Sequence, residues 1–133
     1  MSDLDHARLM LSAARRDLTA LRAMGDPDAF ADEVFGFHAQ EAAEKALKAW
    51  LSLARVTYPR IHDIERLMGL LMESGQSVPG GFSPLADLTD FAVVYRYVSF
   101  EYHEAPLDRN AVVEQVRSLT AHVEGLLSRA AQG

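Results

Sequence analysis

Between Leu4 and Met24 two heptad repeats run side by side, Leu4–Leu11–Leu18 and Ala7–Ala14–Leu21. Residues seven apart fall almost in line after two helical turns, so these six form one apolar stripe along a long helix. Such a stripe has to be covered by packing partners. The rest of the chain offers further helices and no convincing strand.

Gly25 closes the first helix as a C-terminal glycine does. In "GDPDAF" Asp26 is a candidate cap and Pro27 suits the first helical position, where its missing N–H costs nothing. A second helix is expected from there to about Arg55. Phe35, Ala39, Ala42, Ala43, Ala46, Leu47, Ala49, Trp50 and Leu53 line its inner faces, and so many alanines let neighbours approach closely, as in a central helix. Glu41–Lys45 and Glu44–Lys48, each with Glu four residues before Lys, read as its solvent edge.

Pro59 pushes Tyr58 out of the α region and breaks that helix. A shorter amphipathic helix follows over about Asp63–Ser74, with Ile64, Leu67, Leu70 and Leu71 inward. The Gly/Pro/Ser-rich "ESGQSVPGGFSP" is a surface connection. A fourth helix is expected to open with Ser83 as cap and Pro84 as first residue, carrying Leu85, Leu88, Ala92, Tyr95 and Ser99 at heptad spacing. A fifth, about Asp108–Ala130, shows a bundle seam of Val112, Val116, Leu119, Val123 and Leu126. The expected fold is a single all-α domain over residues 1–133, an antiparallel four- to five-helix up-and-down bundle.

At 133 residues the chain can bury a core without a staple, and it contains no cysteine. No apolar run reaches the roughly 18 residues of a membrane span, and "MSDLDHARLM" lacks the apolar centre of a signal peptide. These features point to a cytoplasmic protein with no membrane partner. With 13 basic against 19 acidic residues, net charge −6, general coating of a polyanion is disfavoured, while a locally positive cleft stays open.

No Gly-rich phosphate loop, HExxH, GxSxG or Cys/His metal spacing occurs, so no cofactor and no metal is implied. Five histidines remain. His6 and His122 fall on expected solvent faces and read as inert. His38 shares a helix face with Phe35, Glu41 and Ala42; it reads as a buried imidazole bonded to a carboxylate or the backbone, or as a ligand or base in a helix-lined pocket. His62, in "IHDIERL", sits where a helix begins and reads as a cap or loop brace. In "YRYVSFEYH" Arg96 and His103 stand seven apart, on one face if the helix continues and about 10.5 Å apart along its axis. An arginine grips phosphate through paired hydrogen bonds, and a histidine moves a proton near neutral pH; together they suit metal-independent phosphodiester cleavage.

The run "FGFHAQEAAEKALKAWL" resembles the characteristic helix of the HEPN family, small all-α domains. "HDIERL" is similar to that family's short His-Asp-aliphatic segment, and "LTDFAVVYRYVSF" to its later helix with an Arg-Tyr pair. The resemblance implies a helical bundle that dimerises and is often paired with a minimal nucleotidyltransferase, some such pairs being toxin–antitoxin systems. It further implies nucleotide or RNA as ligand. Active members resemble metal-independent endoribonucleases whose arginine and histidine, four to six residues between them, meet across the dimer axis. Arg96 and His103 match that spacing at its upper limit and are the implied catalytic pair. His38, His62, Tyr97 and Tyr102 are the implied binding residues. Tyr97 stands where active members usually carry a small polar residue, which favours a binding or accessory domain. An active ribonuclease toxin is the alternative, and a purely structural adaptor the third reading.

Overall fold

The computed structural model describes residues 2–92 and 107–133. Helix α1 spans Asp3–Ala23, α2 Asp32–Leu53 and α3 Ile64–Glu73; a 3-10 helix covers Gly80–Leu88, and α4 runs over Arg109–Gln132. Residues 89–92 turn from the 3-10 helix into α-helix. The described residues contain no strand, and the all-helical bundle expected from the periodicity is what forms.

Helices α1, α3 and α4 each start for a local reason. Ser2 and Asp5 make a reciprocal capping box at α1. Asp63 and Asp108 each accept a backbone N–H in the first turn of α3 and of α4. The buried stripe of α1 is Ala7, Leu11, Ala14, Leu18 and Leu21, as the heptads predict, and Val116, Leu119 and Val123 bury the centre of α4. The N-terminus of α1 lies by the C-termini of α2 and α4, with Ser2, Asp3 and Leu4 facing Ser52, Leu53, Arg55 and Ala130 across a cavity of about 370 Å³. Helix α1 is therefore antiparallel to both.

Helix α2 packs against all four other elements. It begins later than Pro27 suggests. Asp26 caps only a turn, accepting the N–H of Asp28 at 2.9 Å, and the helix proper opens at Asp32 with no side-chain cap. The intervening loop is pinned from α4. The buried Arg109 guanidinium donates to the carbonyls of Met24 (2.8 Å) and Phe30 and to Asp32 Oδ1 (2.8 Å), and lies 5.0 Å from the Phe35 ring centre. Asp32 Oδ2 accepts the N–H of Leu107 at 3.1 Å, so the entry to α2 and the entry to α4 are tied by one carboxylate.

The fourth segment also departs from expectation: Pro84 lies inside a 3-10 helix that begins at Gly80, with no side-chain cap. Leu85, Leu88 and Ala92 are buried as anticipated; Tyr95 and Ser99 lie outside the described residues. After α2 the chain doubles back. Residues 54–63 return along α2, so that α3 begins beside Gln40 and Glu44 and ends beside Trp50, whose indole N–H donates to Gln76 Oε1 at 3.1 Å. Gly75 takes φ +92° just after α3, and Gln76 N–H reaches Leu71 O at 3.0 Å, closing the helix in a Schellman turn.

Gly36 is where α2 meets the chain that follows the 3-10 helix. A Cβ there would stand 2.2 Å from the buried Phe91 ring. Gly36→Ala is therefore expected to destabilise the protein by about 1–3 kcal/mol, despite alanine's better helix propensity. Thermal unfolding should show a Tm several degrees lower, partly restored in the Gly36→Ala/Phe91→Leu double variant. An unchanged Tm in Gly36→Ala would refute the close contact.

Candidate functional site: a buried carboxylate and the histidine it holds

Two polar clusters run along α2. The first faces α1. Asp17 receives Lys45 Nζ at 2.7 Å on one oxygen and lies 3.4 Å from His38 Nδ1 with the other, while Glu41 approaches Lys45 at 3.5 Å. Asp17 and Glu41 hold the Lys45 ammonium above its ordinary pKa although burial pulls it down. His38 is bonded to a carboxylate, as one of its two readings had it, but its side chain is 34% exposed and so not buried.

The second cluster is unusual. Gln40, Glu44, Lys48 and Ser52 follow one another at single-turn spacing, and none is more than 9% exposed. The Glu44–Lys48 pair was expected at the solvent edge; it is inside. Helix α2 is covered on every side, so a Glu–Lys spacing that marks an exposed face on a peripheral helix marks an internal ion pair here. Lys48 Nζ donates to Glu44 Oε2 at 2.9 Å. Gln40 Nε2 donates to Glu44 Oε1 at 2.7 Å and to the carbonyl of His62 at 3.1 Å. His62 Nδ1 completes the shell, 2.9 Å from Glu44 Oε1. His62 thus braces the loop, as one reading held, while Asp63 does the capping.

Burial by itself pushes the Glu44 carboxyl up. The hydrogen bonds from Lys48, Gln40 and His62, with the Lys48 charge, outweigh it and hold the group below its ordinary 4.5. Glu44 is therefore an anion at neutral pH, and a carboxylate has no proton to give: Nδ1 of His62 must carry the hydrogen in that bond. In the neutral ring Nε2 is then the acceptor, on a side chain that is 54% exposed. Gln40 turns both of its N–H bonds into this network, and its buried Oε1 has no partner among the described residues. Leaving an acceptor unpaired costs about 1–3 kcal/mol, so the amide orientation is set by the donors that Glu44 and His62 require.

The loop that carries His62 is fastened along its length. Tyr58 Oη lies 2.9 Å from His6 Nε2, its ring stands 5.7 Å from Lys48 Nζ, and Ser52 bonds its hydroxyl. Burial raises the Tyr58 phenol above its usual pKa, with the Glu44 charge adding to the effect. His6 is therefore not an inert surface residue but a tie between α1 and this loop. His122 is likewise drawn inward, 4.8 Å from the Trp50 ring and 5.8 Å from Phe82; burial and the Arg129 charge lower its pKa below 6.5.

Arg96, Tyr97, Tyr102 and His103 lie outside the described residues. Sequence reasoning singled out His38 and His62 but missed Gln40, Glu44, Lys48, Tyr58 and Asp17. The available signal was the four-residue spacing of Gln40, Glu44, Lys48 and Ser52 on a helix whose other positions are apolar. Among the described residues no group of three or more His, Asp or Glu is placed to hold a metal ion, and no helix is long and apolar enough to cross a membrane.

A helical bundle built round a buried carboxylate, with a histidine oriented at its edge, belongs to the small all-α domains. The HEPN domain model matches residues 7–130, nearly the whole chain. This chain belongs to the HEPN family, whose functions concern nucleotides and RNA. No curated protein and no solved structure matches it.

Two expectations follow. Glu44→Ala leaves Lys48 buried without its counter-ion and should cost about 3 kcal/mol in urea unfolding, whereas Glu44→Leu/Lys48→Met should recover most of that loss; equal destabilisation by both would contradict the internal pair. Stability should also fall in acid in two stages. His122, with its folded pKa below 6.5, favours the folded state fully above 6.5 and loses that contribution as pH drops below it. Glu44, with its folded pKa below 4.5, loses its contribution only under 4.5. Chemical unfolding across this range should show the first slope weakened in His122→Phe and the second intact there.

Proposed function

We propose that this protein is a cytoplasmic, homodimeric accessory domain that binds nucleotide or RNA and works beside a nucleotidyltransferase partner. The family match over residues 7–130 carries this reading, because the matched region includes the Arg96 and His103 segment. Arg96 would clamp phosphate, and Tyr97 and Tyr102 would offer aromatic faces to a base. Tyr97, at a position that is small and polar in nuclease members, favours binding over cleavage. Contact of two copies through the helices would bring both Arg96 and His103 pairs to one cleft.

The second reading, a metal-independent endoribonuclease toxin, rests on the Arg96–His103 spacing. In it His103 moves the proton and Arg96 stabilises the charge that develops on phosphate. Light scattering on the purified protein should give the mass of a dimer. Incubation with RNA in EDTA should leave the RNA intact while Arg96→Ala weakens RNA binding. Cleavage that disappears in His103→Ala would replace the accessory reading with the nuclease, and a monomer that binds neither nucleotide nor RNA would remove both.

A further inference from the structure

A groove between α3 and the 3-10 helix takes no part in the polar clusters of α2. It encloses about 370 Å³ and is lined by Met68, Met72, Val78 and Ala86, with the exposed Glu65 and Asp87 beside them. The two elements run in opposite directions: Ile64 N–H, at the start of α3, donates to Thr89 Oγ1 at 3.0 Å, just past the 3-10 helix. Glu65 and Asp87 therefore share one end of the groove, and Met72 and Val78 the other. Met72 is 56% exposed and is, with Leu9, one of two large apolar side chains so placed among the described residues. Neither Glu65 nor Asp87 makes an ion pair among the described residues. Arg66, the one basic residue of α3, is turned to Glu73 at 3.4 Å. From Leu67 to Ala92 the chain carries Glu73, Asp87 and Asp90 and no lysine, arginine or histidine, so this stretch supplies the two carboxylates with no counter-ion.

A methionine-lined groove accepts apolar side chains of varied shape, because the thioether chain is flexible and polarizable. Its carboxylate end attracts a cation and repels phosphate, which disfavours nucleic acid and anionic lipid as occupants. We propose that this groove docks a basic amphipathic helix of a partner protein, with apolar side chains over Met72 and Met68 and a lysine or arginine at Glu65 and Asp87. Met72 and Glu65 stand seven residues apart on α3, about 10.5 Å along its axis. A helix laid in the groove spans that length in two turns, with apolar anchors four residues apart and the cation three residues further on. The surface is independent of RNA binding and requires neither Arg96 nor His103.

Methyl NMR of the full chain, labelled with carbon-13 at methionine, follows Met72 and Met68 directly. The probe is a synthetic alanine-rich peptide with leucine at i and i+4 and lysine at i+7 and i+8; its control carries glutamate in place of lysine. The lysine peptide should move both methyl signals to saturation, and the glutamate peptide should bind at least about tenfold more weakly. Glu65→Lys/Asp87→Lys should reverse that preference, and Met72→Ala should weaken the lysine peptide about fivefold or more. All three side chains are exposed, so these variants should keep the wild-type Tm. Unmoved methyl signals, equal affinity for the two peptides or an unchanged preference in the double variant overturns the proposal. So does a Met72 signal that shifts with protein concentration alone, since the groove would then hold a second copy of the chain. Each of these outcomes leaves the function proposed above standing, because that function is read from RNA binding and the mass of the dimer.

Discussion

Glu44 is a charge on the innermost helix, and much of the molecule can be understood as the consequence. A buried carboxylate is tolerated only if donors surround it. Two come from its own helix, one turn before and one turn after, through Gln40 and Lys48. The third has to come from outside, and it is His62, eighteen residues further along the chain. For His62 to arrive there, the chain leaving α2 must turn and run back beside it. That return path lays Tyr58 against Lys48, Ser52 and His6, and it fixes where α3 starts.

The other ends of the bundle are organised by the same principle with different residues. Arg109 fills three acceptors at the start of α2 and packs on Phe35, so the loop after α1 needs no helix cap of its own. Asp17 links α1 to α2 by way of Lys45 and His38. Between these polar fixtures the contacts are apolar and close, and Gly36 marks the closest, where a ring from the following segment occupies the space of a side chain. These polar groups therefore sit on a frame whose interior is both tightly packed and charged, which holds the His62 ring against Glu44.

Much of this fold was legible in the order of residues. The heptads of α1, the proline at position 59 and the seam of α4 gave the helices and most of their inner faces, because those signals depend on local periodicity and on backbone geometry alone. Other signals misled for a common reason. Glu44 and Lys48 have the spacing of a surface pair, and His6 and His122 fall on what looked like outer faces. Which face is outer depends on how many neighbours a helix has, and periodicity carries no count of neighbours. Pro27 marks a permitted helix start; Arg109, some eighty residues away, moved the real one to Asp32 by satisfying the carbonyls of the loop.

The sequence by itself determined the class of fold, the family and the histidines worth attention, since composition, helical period and the run from Phe35 to Leu51 are properties of the chain as written. Only the tertiary structure decided that Glu44 is interior, that three donors converge on it, and that His62 is the one that comes from outside its helix. Those facts arise from groups distant in the chain being brought within hydrogen-bond reach. The energy of such a contact depends on the surrounding burial, and burial exists only once the helices have packed.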